Sequence, residues 1–174
     1  MKLKKYLFKK VKSTNDTALR LINMGSTNGA IMSDKQTKGR GQRGNKWTSN
    51  SGNLFMTVFF QISKKISIKK ITNLNISIIK KTISNKISLK IKIKLPNDIL
   101  INKKKVCGIL QEVVFKNNLK FLIVGLGINL INSPNLINYP TTYLNYYSKK
   151  KINKTKLFDE IKLNFENKLN YFKI

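Results

Sequence analysis

Apolar and polar positions along this chain follow two different periods, which predict a mixture of strands and helices. Period-two alternation or short apolar runs predict strands over residues 6–11, 30–33, 54–61, 89–95, 99–101, 106–115 and 121–124. Apolar side chains at helical spacing predict helices that begin near Ser13, span 68–86 and close the chain over 156–172. No internal repeat and no domain-separating linker interrupts this order, so we expect one domain.

The first predicted helix begins at a polar string, Ser13-Thr14-Asn15-Asp16, and ends before Gly25. Ser13 can cap the helix, and Asp16 three residues later can complete a capping box. Capping alone explains these residue types. The same helix N-terminus can also present N–H and hydroxyl groups to a polar ligand, and the two interpretations are compatible.

The strand over 89–95 alternates strictly between lysine and aliphatic residues. This lysine row predicts a solvated face, which we assign to Lys90 and Lys92. Lys94 differs because Leu95-Pro96-Asn97-Asp98 follows at once, where proline ends the ladder and Asn-Asp turns the chain. Lys94 is therefore expected at the end of a strand, where a sheet can present a functional group.

A glycine-rich basic segment, Gly39-Arg40-Gly41-Gln42-Arg43-Gly44-Asn45-Lys46-Trp47, contains the only tryptophan and two of the three arginines. We call residues 39–47 the lid. Arginine offers a planar fork that grips a carboxylate or phosphate bidentately, which lysine cannot do. Glycine lets the backbone approach an anion closely. The composition predicts a mobile loop over an anionic small molecule, with a basic surface loop as the plainer alternative.

The lid also spells G-x-G-x-x-G, but its context excludes the nucleotide-binding folds that share this string. A dinucleotide fingerprint requires a helix directly after it and an acid about 20 residues later. Here a strand follows, and no acid occurs between Asp34 and Asp98. A kinase glycine loop requires H-R-D and D-F-G strings, which the sequence lacks.

Glycines in two later strands predict places where something approaches the backbone. Gly108 lies inside the strand over 106–115 and indicates a bulge or a close contact. Gly125 and Gly127 follow an apolar strand and leave room for a ligand, to which Asn129 could hydrogen-bond. A simple glycine kink is an equally good interpretation of this second pair.

The composition excludes several kinds of chemistry. The 174 residues include no histidine and one cysteine, which excludes histidine catalysis, histidine metal sites and an internal disulfide. With seven acids, a carboxylate metal cage is not expected, and any Mg²⁺ should arrive on phosphates. The formal charge of +28 attracts polyanions, although scattered lysines could equally reflect compositional bias. Without a signal peptide or an apolar spanning run, a cytoplasmic protein is expected.

Taken together, five motifs resemble the catalytic domain of biotin–protein ligases over nearly the whole chain. In the family's order they are Ser13-Thr14-Asn15; Gln36 followed by the lid; Lys94-Leu95-Pro96-Asn97-Asp98; Cys107-Gly108-Ile109-Leu110-Gln111-Glu112; and Gly125-Leu126-Gly127-Ile128-Asn129. The resemblance implies an α+β fold like that of class II aminoacyl-tRNA synthetases, with helices packed against a mixed β-sheet. It implies an enzyme that forms biotinyl-5′-AMP from biotin and MgATP. The biotinyl group then passes to a lysine of a biotin carboxyl carrier protein, such as that of acetyl-CoA carboxylase.

The resemblance also implies roles for individual residues. Lys94 and Arg40 would be catalytic. Biotin would be bound by Ser13, Thr14, Asn15, Gln36, Arg40, Gly41, Gln42, Lys94 and Gly108. ATP would be bound by Arg40, Arg43, Trp47, Asn97 and Asn129, and no residue is assigned to a metal.

Three departures from the family pattern are visible. Leu95 replaces the tryptophan of the usual Lys-Trp-Pro-Asn-Asp string, which trims an aromatic wall beside Lys94. Gln42 stands where many members carry a lid arginine, so the adenylate could be held less tightly. Residues 1–174 are expected to form one catalytic domain without the family's N-terminal winged helix or C-terminal SH3-like barrel. Without the winged helix no specific DNA binding is expected, and without an apolar spanning run no membrane association is expected.

Two other functions are compatible with the sequence. A lipoate or octanoate ligase would share the fold, although those families typically use a different lysine and lack the Gly-Arg-Gly string. A nucleic-acid-binding protein is suggested by the charge of +28. However, the lysine strand over 89–95 lacks the interleaved aromatic residues that would favour such a surface.

Overall fold

A computed structural model describes residues 2–136 and 139–172. Those residues contain three α-helices and a set of strands: β1 Lys5–Val11, α1 Thr14–Asn23, β2 Asn28–Gln36, β3 Leu54–Ile62, α2 Ile68–Ser84, β4 Ile91–Lys94, β5 Asp98–Ile101, β6 Lys104–Lys116, β7 Leu119–Ile128 and α3 Lys154–Glu166. Short 3₁₀ turns lie at Gln42–Gly44, Leu144–Tyr146 and Leu169–Phe172.

The strands form one seven-stranded sheet in the order β1-β2-β3-β7-β6-β5-β4. β1 runs parallel to β2, whereas every other neighbouring pair is antiparallel. Helices pack against this mixed sheet, so the predicted α+β class is confirmed. Each predicted strand is present with shifted ends. Within the described residues, none of the helices has the length and apolarity that a membrane span requires.

The two faces of the sheet carry different helices. Because side chains alternate along a strand, Phe59 of β3 faces α1, whereas its neighbours Val58 and Phe60 face α2 and α3. On the α1 face, Phe59 packs in a small cluster with Ala18, Ile22, Ile31, Phe121 and Ile123. The apolar stripes of α2 and α3 are buried in a larger cluster on the opposite face. The site described below lies on the α1 face.

The predicted closing helix over 156–172 is wrong in its last turns. α3 ends at Glu166, and a 3₁₀ turn then carries Leu169 and Phe172. This turn places the Phe172 ring edge-on to Phe60, with 4.9 Å between the ring centroids. The whole predicted stripe is nevertheless buried, namely Phe158, Ile161, Phe165, Leu169 and Phe172. Burial of the aromatic rings therefore outweighs continuation of the helix.

A tight hairpin sets the register of the strands that carry the site. Asn117 and Asn118 join β6 to β7, and their φ angles are 48° and 61°. Two-residue loops with positive φ at both positions match the twist of antiparallel strands, and asparagine tolerates this conformation better than most residues. The register that follows places Gly108 directly opposite Gly127.

Cys107 on β6 provides a chemical probe of this packing. Its side chain is 0% exposed, and burial raises the pKa of its thiol to about 12. Because the thiolate is the reactive form, a disulfide reagent at about pH 8 should label native protein at least about a hundredfold more slowly than denatured protein. The absorbance of the released reagent thiolate measures both rates. Equal rates in the two states would contradict the packing of β6 described here.

Candidate functional site

The centre of the site is a row of residues that crosses four strands on the α1 face. Lys94 of β4 lies opposite Asp98 of β5. Asp98 lies opposite Gly108 of β6, which pairs with Gly127 of β7. Residues paired across strands share a face of the sheet. Across the strands, the row therefore presents a cation, a carboxylate and then two glycines that have no side chain. The predicted place of Lys94 at a strand end is confirmed, since β4 ends there before a turn with cis-Pro96.

The N-terminus of α1 packs onto the sheet beside this row. Asn15 is 3% exposed, and its Oδ1 accepts a hydrogen bond from Thr57 Oγ1 at 2.7 Å. Its Nδ2 donates to the carbonyl of Leu110 at 3.3 Å and to Glu112 Oε2 at 2.7 Å. A Cβ at Gly125 would lie 2.1 Å from Asn15 Oδ1. Glycine at this position therefore leaves the space that the Asn15 side chain occupies.

The polar string at the start of α1 caps the helix, as the sequence predicted. Ser13 caps the helix, and its hydroxyl accepts from the backbone N–H of Asp16 at 3.5 Å. Thr14 is held by Gln36, whose Oε1 accepts from the Thr14 backbone N–H at 2.8 Å and from its hydroxyl at 3.1 Å. Gln36 Nε2 donates to the Ser49 hydroxyl at 3.1 Å. Ser13, Thr14, Asn15 and Gln36 form a polar wall that lines the cavity described below.

The lid folds back on itself through backbone contacts. The N–H of Gly41 donates to the carbonyl of Asn45 at 2.7 Å, across the 3₁₀ turn Gln42–Gly44. At the tip, Arg43 and Gly44 adopt φ angles of 54° and 77°. Positive φ costs glycine nothing, whereas arginine adopts it only under local constraint. The backbone freedom that the lid composition suggested is therefore used at its tip.

Trp47, at the end of the lid, lies against the paired glycines. A Cβ at Gly108 or Gly127 would lie 2.7 Å or 2.2 Å from the indole ring, which confirms the predicted close approach at Gly108. The indole Nε1 is buried without a hydrogen-bond partner among the described residues. Asn129 is 1% exposed, and its Oδ1 is likewise unpartnered in that part of the chain, while its Nδ2 donates to Thr142. One buried donor and one buried acceptor are thus available to a ligand.

The Arg40 guanidinium ties the lid to the body of the domain. Its Nη1 lies 2.6 Å from Asp16 Oδ1, and its Nη2 lies 2.6 Å from Glu112 Oε1. Burial lowers the pKa of Arg40, but hydrogen bonds and charges from Glu112 and Asp16 outweigh burial and raise it. Asp16, which the sequence suggested for a capping box, therefore binds the lid.

A second charged cluster surrounds Asp98. The Tyr139 hydroxyl donates to Asp98 Oδ2 at 2.6 Å, and Lys105 Nζ lies 2.8 Å from Asp98 Oδ1. Burial and this hydrogen bond raise the pKa of Tyr139, so its hydroxyl stays protonated and keeps donating. Lys94 Nζ lies 4.4 Å from the centroid of the Tyr139 ring. No ion pair between described residues includes Lys94, so its charge is not compensated by a carboxylate.

These groups line one cavity of ≈ 630 Å³, a size suited to a small ligand. Every residue that the sequence suggested for the site lines it: Ser13, Thr14, Asn15, Gln36, Arg40, Gly41, Gln42, Arg43, Trp47, Lys94, Asn97, Gly108 and Asn129. Their individual roles stay predictions. In the described part of the chain, no three His, Cys, Asp or Glu side chains are grouped so that they could hold a metal ion.

Sequence reasoning missed several residues of the cavity and its supports. Lys105 is indistinguishable in sequence from the other lysines, and Tyr139 lies in an irregular connection without periodicity. Glu112 did carry a signal, because it is the only acid between Asp98 and Asp159. Only the fold shows that Lys105 and Tyr139 line the cavity and that Glu112 contacts two of its lining residues.

The fold and the site thus define an α+β domain in which a cationic lid and a strand-end lysine line one cavity large enough for a small molecule. The chain belongs to the biotin/lipoate A/B protein ligase family, whose model matches residues 7–129. The resemblance to biotin–protein ligases that the motifs indicated is thereby confirmed.

Named relatives support this membership. The chain is 33% identical over 166 residues to the bifunctional ligase/repressor BirA of Bacillus subtilis. This match covers 88% of this chain and 50% of that protein. It is 29% identical to the biotin–[acetyl-CoA-carboxylase] ligase of Paracoccus denitrificans, over 70% of this chain and 52% of that protein. The chain spans about half the length of these curated relatives.

A solved structure supports the fold assignment. The biotin protein ligase from Aquifex aeolicus in complex with biotin and ATP matches with a TM-score of 0.81 and 26% identity. The match covers 98% of this chain and 72% of that chain. The described sheet and helices therefore share the fold of that ligase chain over the matched part.

Proposed function

We propose that this domain activates biotin with ATP as biotinyl-5′-AMP and transfers the biotinyl group to a lysine of a biotin carboxyl carrier protein. The observation that carries the proposal is the cavity, which Lys94 and the lid line together with the polar wall from α1. The printed names of the relatives and the Aquifex aeolicus complex with biotin and ATP support the same substrates. Residues 1–174 act in this proposal as a catalytic domain, and the reaction takes place in the cytoplasm, where ATP and carboxylases meet.

Different residues of the cavity bind the two substrates, biotin and ATP. The ureido ring of biotin lies against the polar wall of Ser13, Thr14, Asn15 and Gln36, under Gly41 and Gln42 of the lid and beside Gly108. Nucleotide binding falls to Arg43, Trp47, Asn97 and Asn129. The unpartnered Trp47 Nε1 and Asn129 Oδ1 support this part of the proposal, since each gains a hydrogen bond from a polar ligand.

The first step joins two anions. A carboxylate oxygen of biotin attacks the α-phosphorus of ATP, and the bond to the pyrophosphate leaving group breaks as the new P–O bond forms. Fixed positive charge lowers the barrier because it stabilises the charge that accumulates where the two anions meet. Lys94 is the catalytic cation of this proposal, since no carboxylate of the described residues neutralises it. Arg40 contributes its remaining N–H donors from the lid.

The second step returns the enzyme to its starting state. The carrier lysine amine attacks the acyl carbon of the adenylate, the acyl–phosphate bond breaks, and AMP leaves while the amine loses a proton to solvent. A lid over the adenylate slows its hydrolysis by water until the carrier arrives. No covalent enzyme intermediate is required, which suits a chain without histidine.

Mg²⁺ enters this proposal with the phosphates of ATP. Asp98 is already engaged by Lys105 and Tyr139, and Glu112 is engaged by Arg40. Phosphate oxygens are the ligands through which Mg²⁺ commonly reaches nucleotide sites. Bound in this way, Mg²⁺ would neutralise part of the pyrophosphate charge as it leaves.

Lipoate is the second candidate substrate because the matched family also includes lipoate ligases. The polar wall formed by Thr14, Asn15 and Gln36 favours a ureido ring, which has N–H donors and a carbonyl. A dithiolane ring has neither, and a site built for hydrogen bonds rejects a ligand that lacks them. Biotin is therefore the preferred assignment.

A direct assay separates these candidates. Purified protein with biotin, ATP and Mg²⁺ should release pyrophosphate, form biotinyl-5′-AMP detectable by mass spectrometry, and label a carrier domain. Lipoate should give a kcat/KM at least about a hundredfold lower. A preference for lipoate would overturn the biotin assignment. Turnover of neither acid, together with salt-sensitive binding of nucleic acid, would favour the nucleic-acid-binding interpretation instead.

A further inference from the structure

Glu112 is an acidic residue that contacts two residues of the cavity, Asn15 and Arg40, although the proposed ligands of the cavity are anions. It lies on β6, and its side chain is 29% exposed. A carboxylate there would repel the carboxylate of biotin and the phosphates of ATP unless its charge were neutralised. Its presence in so basic a chain therefore requires another explanation.

The contacts of Glu112 supply that explanation. Oε1 accepts from Arg40 Nη2 at 2.6 Å, while Oε2 accepts from Asn15 Nδ2 at 2.7 Å and from Arg40 Nη1 at 3.3 Å. The Glu112 carboxylate thus links Arg40 of the lid to the buried side-chain amide of Asn15 in α1. The lid and the N-terminus of α1 are far from β6 in sequence, and Glu112 contacts both of them.

We infer that Glu112 is a positioning residue that couples closure of the lid to the biotin-facing wall of the cavity; this rests on the proposed function. A carboxylate suits the task because it is acceptor-only and can serve both donors at once. Glutamine would keep one acceptor for Asn15 but would turn an N–H group toward the guanidinium. Aspartate, one methylene shorter, would be unable to reach both partners.

The arrangement also divides the positive charges of the cavity between two tasks. Arg40 is matched by the carboxylates of Asp16 and Glu112, so its side chain acts mainly as an anchor for the lid. Lys94 has no such carboxylate partner among the described residues. Glu112 therefore orders the lid without weakening the charge that Lys94 presents to the ligand.

The Glu112→Gln variant tests this inference. We expect its KM for biotin to rise about tenfold while kcat and the KM for ATP change by less than about threefold, because ordering of the biotin site is lost rather than transition-state charge. Amide hydrogen exchange of the lid without ligand should become faster. The melting temperature should stay close to that of the wild type, since the ion pair is partly exposed.

Two control variants separate positioning from a general structural role. Asp159→Asn removes an ion pair outside the cavity, in which Lys5 Nζ lies 2.7 Å from Asp159 Oδ1. It should change neither the KM for biotin nor the rate of amide hydrogen exchange in the lid. Asp16→Asn removes the other partner of Arg40 without touching Asn15, so lid exchange should rise while biotin KM rises less than in Glu112→Gln. Equal rises in biotin KM for both variants would overturn the link to Asn15.

The remaining outcomes are also decisive. If the wild type is active and Glu112→Gln changes neither biotin KM nor lid exchange, the inference is wrong. If Glu112→Gln does not fold, Arg40→Lys keeps the charge but cannot span both carboxylates, so faster lid exchange is expected there. If the wild type turns over neither biotin nor lipoate, the proposed function fails, while lid exchange in these variants still decides whether Glu112 holds the lid.

Discussion

Replacing Lys94 with alanine should slow biotinyl-5′-AMP formation by at least about a hundredfold and leave the protein folded. The expected loss is large because Lys94 supplies uncompensated positive charge where two anions must meet. The expected change in stability is small. The Lys94 side chain is exposed, and its contact with the Tyr139 ring contributes about 1 kcal/mol at most.

The matched control for this variant lies two residues earlier on the same strand. Lys92 alternates onto the same face as Lys94, is exposed, and lies outside the cavity. Lys92→Ala should therefore retain the wild-type rate of pyrophosphate release, which shows that the loss in Lys94→Ala does not follow from total charge. Lys94→Arg should recover only part of the rate, because the longer planar fork places its charge differently. A folded Lys94→Ala variant with near wild-type kcat/KM for biotin would refute the catalytic role of this lysine.

Replacing Gly125 with alanine should lower biotin affinity about a hundredfold and cost about 2 kcal/mol of stability. The added methyl carbon would lie 2.1 Å from Asn15 Oδ1 and 2.9 Å from its Cγ. Asn15 cannot move aside freely, because Thr57, Leu110 and Glu112 all hold it. Displacing it breaks these hydrogen bonds and opens the polar wall of the cavity.

Calorimetric titration with biotin and thermal unfolding measure the two effects of Gly125→Ala separately. Gly25→Ala is the control, since its φ of +94° imposes backbone strain with no atom within 4 Å of the added Cβ. It should cost about 1 kcal/mol and leave biotin binding unchanged. The double variant Asn15→Ala/Gly125→Ala should lose less free energy of unfolding than the two single variants lose together, because the clash with Asn15 is removed. Its biotin affinity should stay low. Wild-type binding by Gly125→Ala would refute the arrangement of Asn15 described here.

Much of the fold follows from local patterns that the sequence displays directly. Runs rich in apolar residues such as 54–61 appear as strands because a strand buried on both faces needs mainly apolar side chains on each of them. The end of β4 at Lys94 follows from Pro96, which lacks the N–H that the ladder requires. Only where local and tertiary preferences compete does the pattern mislead. The chain after Glu166 leaves the helix because burying Phe172 against Phe60 outweighs another helical turn.

The candidate site divides in the same way. Residue type singles out Arg40 and the glycines of the lid, because few other residues can supply their chemistry, whereas Lys94 is singled out by its position just before Pro96. By contrast, Lys105 and Tyr139 gain their meaning from Asp98, a contact between strands and an irregular connection. A lysine among many carries no signal until a fold gives it a neighbour.

By itself, the sequence determined a mixture of strands and helices, a cationic glycine-rich segment, and a lysine at a strand end, because periodicity and backbone chemistry act over short distances. The α+β class came from the family resemblance of its motifs. Only the tertiary structure decided which charges cancel. Arg40 is neutralised by Asp16 and Glu112, whereas Lys94 lines the cavity without a carboxylate partner among the described residues. The physical reason is that electrostatic pairing depends on distances between residues far apart in the chain, and sheet register sets those distances.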